Sequence, residues 1–168
     1  MASPLDAVPN GSDVLIDANL LVYGLSAKSA QCKRLLERCS VEEITGITLF
    51  EAVNNATHQF MKAEALAKGL CAQKVVKHLS EHPEQVKLLT DYWTNTQRIL
   101  ALNLVFLPVE EILIRGAQNE RVNAGLLTND SIIIAAMRAW GIFRLASNDQ
   151  MFDTVAGITV FSPSDVVP

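Results

Sequence analysis

Val14-Leu15-Ile16-Asp17 is a short apolar run cut off by an acid. A run without polar alternation suits a strand buried on both faces, as in parallel sheets. Four more segments of this kind follow, at residues 44–47, 104–107, 143–146 and 158–161. Helical patterns lie between them, at residues 20–25, 29–38, 48–61, 64–79, 83–102, 110–123 and 131–140. The last is apolar almost all round, which marks a helix buried on every side. The long middle region, residues 64–102, breaks near His82-Pro83, because proline cannot sit in a helix interior. Strands alternating with helices predict an α/β chain with a five-stranded parallel sheet covered on both faces. Residues 1–13, with Pro4, Pro9 and Asn10-Gly11, read as a loose lead-in, and residues 14–168 as one domain.

Parallel sheets bind ligands at the carboxyl ends of their strands, and right-handed crossovers bring the following helix starts to the same edge. Four acids fall there. Asp17 ends the first strand, and Glu51 lies in the first turn of the helix after the second. Asp130 opens the buried helix, and Asp149 follows the fourth strand in Ala146-Ser147-Asn148-Asp149. Each also has a plain structural reading. Thr48…Glu51 has capping-box spacing, Asp130 suits a helix cap, and Asn148-Asp149 suits a turn. Together, four carboxylates on one rim repel one another unless a cation neutralises them. Oxygen ligands alone point to Mg²⁺ or Mn²⁺, with no His or Cys placed for zinc.

The chain has 168 residues, 49% of them hydrophobic, with 14 Lys+Arg against 18 Asp+Glu. That is long enough for one sizeable core and too apolar for disorder. The longest apolar stretch, residues 132–137, is far short of the roughly 18 residues of a membrane span. Residues 1–13 carry no basic segment followed by an apolar one, so no secretory signal is expected and the location expected is cytoplasmic. Cys32, Cys39 and Cys71 form no C-x-x-C pair and read as apolar filler in a reducing compartment.

Four blocks resemble the signatures of PIN-domain ribonucleases, a family that includes the VapC-type toxins of toxin–antitoxin pairs. They are Val14-Leu15-Ile16-Asp17-Ala18-Asn19, Thr48-Leu49-Phe50-Glu51, the segment 127–136 that opens Leu127-Thr128-Asn129-Asp130-Ser131, and Ala146-Ser147-Asn148-Asp149-Gln150-Met151-Phe152. The resemblance spans residues 14–163. It implies a PIN-like three-layer α/β/α sandwich around a five-stranded parallel sheet, and metal-dependent, usually endonucleolytic, cleavage of RNA. Asp17, Glu51, Asp130 and Asp149 match the family's catalytic, metal-binding acids. Asn19, Thr48 and Ser147 match polar residues that support them, and Asp153 is a weaker fifth acid. The products implied carry a 5′-phosphate and a 3′-hydroxyl. The middle region is longer than in compact toxin members and offers a docking face for an antitoxin or a second copy.

RNA must approach this rim despite the net charge of −4. Two groups of cations qualify as phosphate contacts: Lys28, Lys33, Arg34 and Arg38, and Lys62, Lys68, Lys74 and Lys77. Both also read as solvated helix faces. His78 and His82 lack the H-E-x-x-H arrangement of zinc proteases. Two other functions are weighed. A haloacid-dehalogenase-like phosphatase also ends its first strand in Asp, but wants a second Asp where this chain has Asn19, and a downstream Lys. A PIN-like binding module without catalysis would need no complete set of acids, which this chain retains.

Overall fold

The computed structural model describes residues 2–166. Its sheet has six parallel strands: β1 (Ser3–Pro4), β2 (Asp13–Ile16), β3 (Thr45–Leu49), β4 (Leu104–Leu107), β5 (Arg144–Ala146) and β6 (Thr159–Ser162). They lie in the order β1-β6-β5-β2-β3-β4. The five expected strands are β2 to β6. The sixth comes from the supposed lead-in, where Ser3 and Pro4 pair with Phe161 and Ser162. Leu5 and Val8 behind it are buried in the core. A two-residue strand carries no readable periodicity, and proline is tolerated there because β1 is an edge.

Alternate residues of β2 point to opposite faces. Val14 and Ile16 join one core cluster, with Leu20, Leu21, Leu35, Val53 and Ile99. Leu15 joins the other, with Leu113, Ala117, Ile134 and Met137. Helices α1 (Ala18–Leu25), α2 (Ala30–Ser40), α3 (Phe50–Ala67) and α6 (Asp91–Leu100) therefore cover one face. Helices α7 (Glu111–Ala124) and α8 (Thr128–Trp140) cover the other. This is the expected three-layer sandwich, and α8 is buried continuously from Ser131 to Met137. Cys32 and Cys39 sit on the inner side of α2, where burial pushes both thiols up to about 11. They are packing groups rather than reactive ones.

The middle region departs from the expectation. Residues 64–79 do not form one helix: α3 stops at Ala67, and Gly69 and Lys74 take left-handed conformations before α4 (Val75–Glu81). Residues 83–102 are also divided, into α5 (Pro83–Val86) and α6. A long-range contact sets the start of α6. Glu64, buried at the end of α3, accepts hydrogen bonds from the backbone N–H groups of Thr90 (2.7 Å) and Tyr92 (2.8 Å) and from Lys68. It thus caps α6 from 26 residues away, and no local pattern announces such a cap.

Burial alone would raise the Glu64 pKa, but the bonds from Lys68, Thr90 and Tyr92 outweigh it and hold the carboxyl at about 2. A depressed folded pKa contributes stability above the unfolded value near 4.5, lost as pH falls through the folded one. Glu64→Gln is expected to cost about 2–3 kcal/mol at pH 7, the scale of hydrogen bonds to a charged group. In urea titrations the gap from wild type should narrow as pH drops from 5 towards about 2; an unchanged gap would show that the charge is irrelevant.

Candidate active site

The chain order reverses around β2, since β3 and β4 lie on one side of it and β5 and β6 on the other. A crevice outside the carboxyl ends of β2 and β5 is the ligand position such a switch creates. Asp17 follows β2 and Ser147 follows β5. One cleft of about 740 Å³ opens there, and Asp17, Glu51, Asp130 and Asp149 all line it. Asn19 and Asn129 line it too.

Asp17 is the best-anchored of the acids. Its Oδ1 accepts from the Ala18 backbone N–H at 2.6 Å, which makes it the N-cap of α1. Its Oδ2 accepts from Asn19 Nδ2 (2.7 Å) and from the Ser147 hydroxyl (2.7 Å). The same hydroxyl accepts from Asn19 Nδ2 (3.3 Å) and the Asp149 backbone N–H (3.1 Å). One donor and two acceptors exhaust what a serine hydroxyl offers. The Asn148 backbone N–H donates to Asn19 Oδ1 (3.3 Å), closing the network between the two strand ends.

Thr48 is fully buried, and its hydroxyl donates to the Ile16 carbonyl at 2.9 Å. It fastens β3 to the end of β2 and makes no contact with Glu51 as a cap: the N-cap of α3 is Leu49, with no side-chain cap bond. The capping-box reading of Glu51 therefore falls away. Asp130 likewise is not a cap, because α8 starts earlier than expected, with Leu127 at its N-cap. Asp149 does play a local part, its Oδ1 accepting from the Met151 N–H at 2.9 Å. Phe152, fully buried, pins this turn to the core. Asp153 is exposed and does not line the cleft.

Burial raises the Asp17 pKa; the Ser147 and Ala18 hydrogen bonds pull it back, and the charges of Asp130 and Asp149 raise it further. Asp130 is raised by burial and then by Asp149. Asp17 thus feels the charges of Asp130 and Asp149, and Asp130 feels that of Asp149. In kind this donor set fits a hard divalent cation, which relieves the repulsion and takes carboxylate oxygen. Among the described residues, however, no three His, Cys, Asp or Glu side chains are drawn up around one point. An ion would have to gather them.

Four further polar residues of the cleft were not singled out from the sequence, Tyr23 from α1 and Asn55, His58 and Gln59 from α3; Lys62, beside them, was named only as a phosphate contact. A signal was present. Steps of three or four residues from Glu51 trace one face of a helix through Asn55, His58 or Gln59, and Lys62.

No family model matches the chain, and no curated protein matches it. Solved structures do. The chain is similar to VapBC2 from Rickettsia felis, bound to a DNA fragment from its promoter, at 13% identity and a TM-score of 0.56, covering 89% of this chain and 98% of that one. It is similar to a toxin–antitoxin complex from Klebsiella pneumoniae at 15% identity and 0.57, covering 87% and 95%. Mycobacterium tuberculosis VapC20, a sarcin-ricin loop cleaving toxin, matches at 13% and 0.57, covering 86% and 96%. The fold is the PIN-domain fold of VapC-type toxins.

A raised folded pKa means that ionising Asp17 costs stability once pH climbs above the model-peptide value near 3.8. With EDTA present at pH 7, Asp17→Asn and Asp149→Asn should leave the thermal midpoint unchanged or slightly higher. For Asp17→Asn the gain should fade towards pH 4. A clear drop in midpoint would assign these acids a purely structural hydrogen-bonding role.

Proposed function

We propose that the chain is a metal-dependent ribonuclease that hydrolyses internal RNA phosphodiester bonds, and that it is the toxin of a toxin–antitoxin pair. The observation that carries this reading is the convergence of Asp17, Glu51, Asp130 and Asp149, from four separated stretches of sequence, on one cleft at the sheet edge. The similar folds support it, one of them a sarcin-ricin loop cleaving toxin and another a toxin–antitoxin complex. Asn19 is engaged by Asp17 and Ser147, which supports a ligand-holding role rather than the second nucleophilic acid of a phosphatase.

In this reading Asp17 and Asp149 hold Mg²⁺ or Mn²⁺, with Asp130 and Glu51 completing the set. The ion supplies charge neutralisation on the phosphoryl oxygens and a lower pKa for water. The chain's own residues do the positioning. Ser147 and Asn19 fix the Asp17 carboxylate, leaving about one of its roughly four acceptor positions for the cleft. Thr48 fixes the strand end beneath it. Glu51 and Asp130 stand in the first turns of α3 and α8, and one of the two orients the attacking water. Water adds to phosphorus in line with the leaving 3′-oxygen, whose bond breaks, giving the 5′-phosphate and 3′-hydroxyl.

Exposed apolar side chains of the middle region, Val76 on α4, Leu88 in the turn after α5, and Trp93 and Leu100 on α6, are proposed to meet an antitoxin or a second copy. No helix of the described residues is long and apolar enough to cross a membrane.

Purified protein should cut RNA in Mg²⁺ or Mn²⁺ and stop in EDTA. Asp17→Asn or Asp149→Asn should lower kcat by about 10²-fold or more, the scale seen when an electrostatic group at a reacting centre is lost. Metal binding without turnover on any RNA would instead establish a binding module.

A further inference from the structure

The two groups of cations picked out from the sequence do not survive as groups. Lys33 pairs with Glu37, Arg34 with Asp6 and Arg38 with Glu43. Lys68 pairs with Glu64 and Lys77 with Glu81. Of the eight, Lys28, Lys62 and Lys74 have no ion pair among the described residues. Lys28 and Lys62, one from each group, line the same cleft as the acids, whereas Lys74 does not.

Local structure accounts for both placements. After α1 the chain turns back on itself: Ala27 takes a left-handed conformation, and the Lys28 backbone N–H donates to the Tyr23 carbonyl at 3.0 Å. That brings Lys28 over the cleft rather than away from it. Lys62 lies eleven residues after Glu51 on α3, about three turns along the same face and about 16 Å up the axis. Its Nζ makes one long bond, to Gln59 Oε1 at 3.3 Å. Asn55, His58 and Gln59 fill the wall between. The cleft therefore carries both signs, with carboxylates at the strand ends, one ammonium group three turns along α3 and another just past the end of α1.

We propose that Lys28 and Lys62 each bind a phosphate of the RNA strand beyond the one being cut. This rests on the nuclease reading above and adds the direction in which the substrate lies, from the acids along α3. A polyanion brought to four carboxylates is repelled at that end, so cationic contacts beyond them are what retain the strand. Lysine suits such a contact as a point charge that needs no fixed geometry. Both residues are binding groups and take no part in bond breaking.

The test is fluorescence anisotropy of a labelled oligouridylate against salt, on wild type, Lys28→Ala, Lys62→Ala and Lys74→Ala, in EDTA so that nothing is cut. Each cleft variant should weaken binding by roughly threefold or more and flatten the slope of log Kd against log salt by about 0.7, the value for one phosphate on a single strand. Lys74→Ala should match wild type. In cleavage assays the cleft variants should raise KM and leave kcat near wild type. Wild-type slopes in both cleft variants, or an equal fall in Lys74→Ala, would overturn the proposal. Protein that binds with the expected slopes but cuts no RNA would sink the nuclease and leave the phosphate site standing. Cleavage with no change of slope would do the reverse.

Discussion

The hydrogen bond from the Ser147 hydroxyl to the Asp17 carboxylate joins the ends of two neighbouring strands that lie 130 residues apart in sequence. It exists because the sheet grows in both directions from β2, so that β2 and β5 end side by side. In a parallel sheet buried on both faces, a shift of one residue would send every side chain of the strand into the opposite core, where it does not fit. That rigidity fixes where Asp17 and Asp149 stand, and helices α3 and α8 start at the same edge to deliver Glu51 and Asp130. The site is a consequence of topology first and of residue chemistry second.

The site also works against the fold. Asp17 and Asp130 are both raised above the usual carboxylate range by burial and by the other acids. Such an arrangement costs free energy in the absence of a cation, and strain of this sort is characteristic of places that bind something. The network around Ser147, with every donor and acceptor of that hydroxyl engaged, holds the Asp17 carboxylate and the Asp149 backbone in place despite the repulsion. Further from the centre the sign changes, at Lys28 and Lys62. Net charge says little about partners when charge is segregated in this way.

The middle region shows the same reliance on distant contacts. Glu64 ends up buried because it receives two backbone N–H groups from the start of α6 and an ammonium from Lys68. The start of α6 is set by this anchor, and the region packs around a small core of Ala65, Leu79 and Leu89. In a chain read locally, the same stretch looks like two long helices.

Much was legible in the residues themselves. The apolar runs marked β2 to β6 because burial on two faces leaves an uninterrupted pattern, and the all-round apolar character of 131–140 marked a buried helix. The acids stood out since each followed a strand or opened a helix. The two-residue β1, too short for any period, was invisible, as were the breaks at Gly69 and at residues 87–90. The capping readings of Glu51 and Asp130 were equally good in sequence; only the position of the helix starts, at Phe50 and Thr128, decided against them. Which lysines matter was beyond the sequence as well. Five of the eight highlighted cations are paired by neighbours on adjoining turns or on other elements. The sequence by itself determined the identity of β2 to β6, the buried helix and the list of carboxylates, because these follow from local pattern. Tertiary structure alone decided which side chains share a cleft, because proximity across a parallel sheet is set by strand order, which no single segment encodes.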